Sequence, residues 1–127
     1  MIPHEPQKKR LFALRGAAQS ENNCSDIAKQ SLNVYDELLS RNNLAEEDIV
    51  SVHFSLTRDL DAKNPAQALR EQGRAEKTAL FVTQEAYIQG GLERVIRLLI
   101  HCYLDESQSP VHVYRNGAEQ LRPELST

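Results

Sequence analysis

The stretch that most constrains the fold runs Thr78-Ala-Leu-Phe-Val-Thr-Gln-Glu85-Ala-Tyr-Ile-Gln-Gly90-Gly91-Leu-Glu-Arg-Val-Ile-Arg97. An apolar run of β type ends at a carboxylate, and two consecutive glycines then break the backbone pattern. The residues that follow, Leu92–Leu104, read as a helix in which Arg97 shares a stripe with Glu93, Arg94 and His101. A strand end that meets the next element through a tight glycine turn makes a small polar pocket. Glu85 and Arg97 are both placed to point into it.

With 127 residues the chain is long enough for one domain with a real core. Its net charge of −3 and pI near 5.8 argue against a general nucleic-acid binder, which is usually basic. A local basic pocket would suit a small anion better than a polymer. Cys24 and Cys102 lack a CxxC spacing, so two free thiols in a reducing compartment are expected rather than a disulfide or zinc site. Residues 1–9 have no apolar core of a secretion signal, and Arg97 and His101 interrupt the longest apolar segment. These features lead us to expect a cytoplasmic protein.

In chain order, residues 1–9 read as a mobile tail and residues 10–127 as a single domain. Lys9–Arg15 is a strand, ending where Gly16 lets the chain turn. A helix from Ser25 to Asn42 follows, with Ile27, Leu32, Tyr35, Leu38 and Leu39 on one face and Ser25 as its cap. Ile49–Leu56 alternates Val50, Val52, Phe54 and Leu56 against Ser51, His53 and Ser55, as a half-buried strand does. A short helix has Asn64 as cap, Pro65 in its first turn and Gly73 after its end, with Gln67 and Arg70 on one face. Thr78–Thr83 is the next strand. After the Leu92–Leu104 helix, Val111–Arg115 and Ala118–Arg122 read as a hairpin around Asn116-Gly117.

Each candidate residue has a bland alternative. Arg97 can be part of a solvated helix face, paired with Glu93 at i,i+4 for only ~0.3–0.5 kcal/mol. Glu85 alone can be a cap, Arg15 an exposed strand end, and Tyr114 a packing residue. No GxSxG, no cysteine with a histidine and acid partner, and no phosphate-cradling glycine loop is present. His4, His53, His101 and His112 have no ligand spacing, so no metal site is expected. If the chain is an enzyme, its chemistry is expected to run without cofactor or covalent intermediate.

Several segments then meet one family. Leu14-Arg15-Gly16-Ala17, Pro65-Ala66-x-Ala68-x-Arg70-Glu71, Gln84-Glu85-x5-Gly90-Gly91-Leu92, Ile96-Arg97, His112-Val113-Tyr114 and Leu121-Arg122-Pro123 occur in that order. This succession resembles the Bacillus-type (AroH-class) monofunctional chorismate mutases, from about Arg10 to the C-terminus. The resemblance implies an α+β subunit, a mixed β-sheet with helices on one face. It also implies a homotrimeric pseudo α/β-barrel with active sites at subunit interfaces, and the rearrangement of chorismate to prephenate in phenylalanine and tyrosine biosynthesis.

Carried onto matching positions, the resemblance gives Arg97 the ether oxygen and a carboxylate. Arg15 and Tyr114 would grip carboxylate, and Glu85 would accept from the ring hydroxyl. Arg70 would reach in from a neighbouring subunit, and Leu121 and Arg122 would come from the C-terminal segment over the pocket. Two departures stand out: Gln67 where the family usually has lysine, and Asn64 where it has an aromatic residue. Phe81-Val82 also replace small polar or thiol side chains, leaving Val82 its backbone N–H as a donor. Weaker substrate binding with intact chemistry is the expectation. A non-catalytic trimeric sensor of small carboxylates is the alternative, and an imine or enamine hydrolase on a similar trimeric fold is ranked below both.

Overall fold

The structure is a computed structural model and describes residues 8–122. The tail expected over residues 1–9 falls mostly outside them, and Lys9 already belongs to a strand. Five strands form one mixed sheet: β1 (Lys9–Gln19), β2 (Ile49–Leu56), β3 (Ala79–Gln84), β4 (Val95–Asp105) and β5 (Val113–Arg115). Their spatial order is β3-β2-β4-β1-β5. The β1–β4 and β2–β4 pairs are antiparallel, and β2–β3 and β1–β5 are parallel. Helices α1 (Cys24–Arg41) and α2 (Pro65–Glu71) pack against each other and against this sheet.

The helix expected over Leu92–Leu104 is instead β4, the central strand. Ile96, Leu98, Ile100, Cys102 and Leu104 are buried, while Arg97, Leu99, His101 and Tyr103 between them are more exposed. That is a period of two. Leu99 and Tyr103 on the second face are apolar as well, so polarity alone hides the alternation. Arg97 therefore shares no helical stripe with Glu93 and Arg94.

The expected C-terminal hairpin is also absent. Val113–Arg115 pairs in parallel with β1, placing Val113 opposite Gly16 and Tyr114 opposite Ala17. Asn116 and Gly117 do take positive φ, of 50° and 99°, but they lead into a 3-10 turn, Ala118–Leu121. A bond to an existing sheet edge wins over local pairing.

Gly16 is not a turn: β1 continues through it to Gln19. A Cβ there would lie 2.5 Å from Val34 Cγ1 and 2.7 Å from Leu38 Cδ1, so glycine lets α1 approach the sheet. The cap of α1 is Asn23, whose side chain accepts from the Asp26 N–H at 2.8 Å, and not Ser25. Asn64 caps α2 as expected, accepting from the N–H groups of Ala66 and Gln67.

Strand β2 matches its expected span, with one change of face. A register break between Ile49 and Ser51 buries Ile49 and leaves Val50 48% exposed. The core joins Leu14, Phe54, Ile96 and Ile100 of the sheet to Ile27, Val34, Tyr35, Leu38 and Leu69 of the helices. Each such side chain contributes roughly 1.5–3 kcal/mol on burial. One sheet face is thus sealed, and the other carries the groups described next. Cys102 lies buried in β4 and Cys24 exposed at the start of α1, both as free thiols.

Candidate active site

The register brings Thr83, Ser55, Arg97, Ala17 and Tyr114 into one row crossing all five strands on the open face. The next row holds Phe81, His53, Leu99 and Arg15. Side chains two residues apart on a strand share a face, so the two rows line one surface. A cavity of about 350 Å³ lies over them, bounded by Arg15, His53, Ser55, Thr83, Arg97 and Tyr114. His53 is held there by a 3.1 Å contact from Nε2 to Thr83 Oγ1 and by its edge against Phe81.

Glu85 sits one residue beyond β3, where its N–H donates to Leu56 O at 2.7 Å and extends the β2–β3 ladder. Its Oε1 lies 2.5 Å from Arg97 Nε. The contact is charge against charge rather than a directed hydrogen bond: Nε is out of solvent and, among the described residues, has no acceptor in line with its N–H. The Arg97 side chain as a whole stays 43% exposed. It reaches a second cavity, of about 610 Å³, lined by Arg58, Glu85, Tyr87, Leu92 and Glu93 among others. Arg97 thus forms the wall between two neighbouring hollows, with Arg15 and Tyr114 in one and Glu85 in the other.

Gly90 and Gly91 connect β3 to β4 around the second hollow, and Gly90 takes φ 82°. The tight glycine turn expected from sequence is therefore present, although the element it feeds is a strand. Asp59 secures its far end, accepting from the Arg94 N–H at 3.1 Å with both oxygens. Arg58 stacks 3.6 Å over the exposed Tyr87 ring at the outer rim.

The remaining expected residues lie around this centre. Leu121 packs with Leu92 and Tyr114 on a small cluster of Ala17, Val95 and Ala118, so the C-terminal segment returns beside the row. Arg122 lies near enough to act electrostatically on His112. Arg70 lines neither cavity: its Nη1 and Nη2 donate to Glu76 O and Thr78 O, at 3.3 and 3.2 Å, across the α2–β3 connection. The Val82 side chain packs against the helix-side core, opposite to Arg97, which leaves it only backbone to offer from edge strand β3.

Sequence reasoning assigned no role to Ser55, Thr83, His53 or His112. The first three were legible only through register, which no single strand reveals. His112 accepts the Arg15 N–H on its Nδ1 at 3.0 Å. Burial, with Arg15 and Arg122 nearby, holds its pKa below the ordinary histidine value. No group of three or more histidine, cysteine, aspartate or glutamate side chains suited to a metal ion occurs among the described residues. Nor is any described helix long and apolar enough to cross a membrane.

An arginine walled by a carboxylate, with a second arginine and a tyrosine on the same sheet face, is a cradle for a small hydroxylated anion. Comparison with known proteins agrees with that chemistry. The family model "Chorismate mutase type I" matches residues 11–125. Chorismate mutase AroH of Bacillus subtilis (strain 168) is 31% identical over 118 residues, covering 91% of this chain and 93% of that protein. Chorismate mutase AroH of Thermus thermophilus is 32% identical over 117 residues, covering 90% and 95%. The solved structure of a chorismate mutase from Clostridium thermocellum superposes with a TM-score of 0.79 at 35% identity, covering 86% of this chain and 98% of that one. The chain belongs to the type I chorismate mutase family.

Proposed function

We propose that the protein rearranges chorismate to prephenate, breaking one C–O bond and forming one C–C bond within a single molecule. The observation that carries this reading is Arg97 held against Glu85 on the open face, with Arg15 and Tyr114 in the adjoining cavity. A unimolecular pericyclic step needs no nucleophile and no proton shuttle. The protein's part is to fold a flexible dianion into a compact conformer and to meet charge where it develops.

As the C–O bond lengthens, its oxygen becomes negative. Arg97, already fixed there, stabilises that transition state more than the ground state. Its planar guanidinium can engage the ether oxygen and a carboxylate together and remains charged throughout. Glu85, ionised, is acceptor-only and takes the ring hydroxyl while orienting Arg97. Arg15 and Tyr114 bind carboxylate, and the Val82 N–H is a further donor.

The active unit in this proposal is a homotrimer. Leu11 at 47%, Leu99 at 36%, Tyr103 at 45% and Phe81 at 64% exposure give the helix-free face an apolar surface that a neighbouring copy would cover. Arg70 would then enter from the neighbour, and Leu121 and Arg122 would close over the substrate with the C-terminal segment. Loss of chorismate absorbance on adding the purified protein, with a trimeric mass by light scattering, is the expected result. Tight chorismate binding without turnover would overturn the catalytic reading in favour of a carboxylate sensor.

A further inference from the structure

Strand β5 is only three residues long, yet it carries Tyr114 and borders Arg15. What fixes its start is unusual. The ladder between β1 and β5 begins at the Gly16–Val113 pair, one residue after Arg15 and His112. At that point the Arg15 N–H is received by a side chain, His112 Nδ1, at 3.0 Å. An imidazole thus stands where a strand carbonyl would otherwise accept.

The segment leading to His112 is itself anchored. Asn42, fully buried at the end of α1, donates to Val111 O at 2.9 Å and accepts from the Val111 N–H at 2.8 Å. Gln108 donates to Asn42 O. The ring is therefore delivered to β1 from a rigid base, and the hydrogen bond locks the backbone from which the Arg15 side chain projects.

We propose that neutral His112 is the positioning residue of the carboxylate grip. It holds Arg15 and Tyr114 in register while its Nδ1 is free to accept, and its protonation releases them. The inference rests on the binding role given above to Arg15. Only the tautomer with the proton on Nε2 can make this bond. A protonated ring would set an N–H against the Arg15 N–H. It would also place a third positive charge beside two others. Among the described residues, the charged groups acting on the ring are Arg15 on β1 and Arg122 of the C-terminal segment, and no carboxylate is among them. Nothing described there rewards protonation.

The experiment compares kcat and KM for chorismate across pH 5 to 8 in the wild type, His112→Asn and His112→Leu. In the wild type, KM should rise as pH falls below the usual histidine range, more steeply than kcat falls. His112→Asn can accept the same N–H through its amide oxygen and cannot be protonated. It should keep KM within about threefold at pH 8 and lose the acid rise. His112→Leu should raise KM about tenfold or more at every pH, with kcat changed less. An unaltered acid rise in His112→Asn, or a wild-type KM in a folded His112→Leu, overturns the proposal. Arg15→Ala is the companion measurement: a raised KM there beside unresponsive His112 variants sinks only the role of His112, whereas an unchanged KM removes the binding role of Arg15 and the grip built on it.

Discussion

Arg97 Nε and Glu85 Oε1 lie 2.5 Å apart, yet one stands on β4 and the other just past the end of β3, and neither would be placed without the sheet. Glu85 extends β3 at the sheet edge, and Arg97 stands on the central strand with Ser55 and Ala17 on either side. The carboxylate fixes the guanidinium beforehand, so little reorganisation remains for the moment when charge develops.

Removing that pre-placed cation should be felt in turnover. Arg97→Ala and Arg97→Lys should each lower kcat about a hundredfold or more, corresponding to ~3–4 kcal/mol of transition-state stabilisation. Thermal unfolding should move little, since the side chain is 43% exposed and its ion pair with Glu85 is partly solvated. Steady-state kinetics alongside a melting curve checks both halves, and near-normal turnover in either variant would remove the mechanism.

Gln67 stands exposed in the first turn of α2, on the same face as Arg70. If that face meets a neighbour's substrate, a cation there adds attraction for a dianion. Gln67→Lys should lower KM several-fold and leave kcat nearly unchanged. A KM that does not fall would argue that α2 is remote from the site.

Gly16 permits α1 to lie close on β1. In Gly16→Ala the new methyl would meet Val34 and Leu38 at 2.5 and 2.7 Å, forcing the helix outward. A loss of about 1–3 kcal/mol is expected from urea denaturation, in line with other overpacked cores. Activity should fall too, because Arg15 and Ala17 flank the displaced residue. A variant as stable as the wild type would mean that α1 yields more freely than its packing implies.

Asn42 is wholly buried and satisfies groups at the end of α1 and at Val111. Asn42→Ala takes their partners from the half-buried Val111 N–H and C=O, a loss bounded by the roughly 1–3 kcal/mol that a fully buried unpaired group costs. Chemical denaturation should register that loss. A rise in KM should accompany it, because His112 follows directly on the loosened segment.

Stability should fall on the acid side through His112 as well. Its folded pKa is lowered by burial, Arg15 and Arg122, whereas the unfolded chain titrates at the ordinary value near 6.5. Below that value the unfolded state takes up a proton that the folded state refuses, so unfolding becomes easier as pH drops towards the folded pKa. Above about pH 6.5 the group is neutral in both states and contributes no slope. Melting temperatures of the wild type and His112→Asn between pH 8 and 5 should converge in slope at the alkaline end and diverge at the acid end. Parallel curves would mean that another group carries the acid sensitivity.

Local chemistry read straight from the chain accounts for a good part of the molecule. The helical face around Ile27 and Leu38, the Asn64-Pro65 start and Gly73 end of α2, and the β2 strand all follow from short-range rules of period, capping and turn preference. The motifs around Arg15, Glu85, Arg97 and Tyr114 were likewise enough to identify the family, because the order and types of those residues are carried by the sequence itself. What tertiary structure decided was pairing. Val95–Asp105 carries apolar residues on both faces, Leu99 and Tyr103 among them, so its period of two emerges only when β1 and β2 close on either side and helices cover one face. Val113–Arg115 joins β1 rather than folding back on itself, because the edge of an existing sheet offers hydrogen bonds and burial that a lone hairpin lacks. That pairing sets His112 against Arg15 across 97 positions of chain, a contact no local pattern encodes.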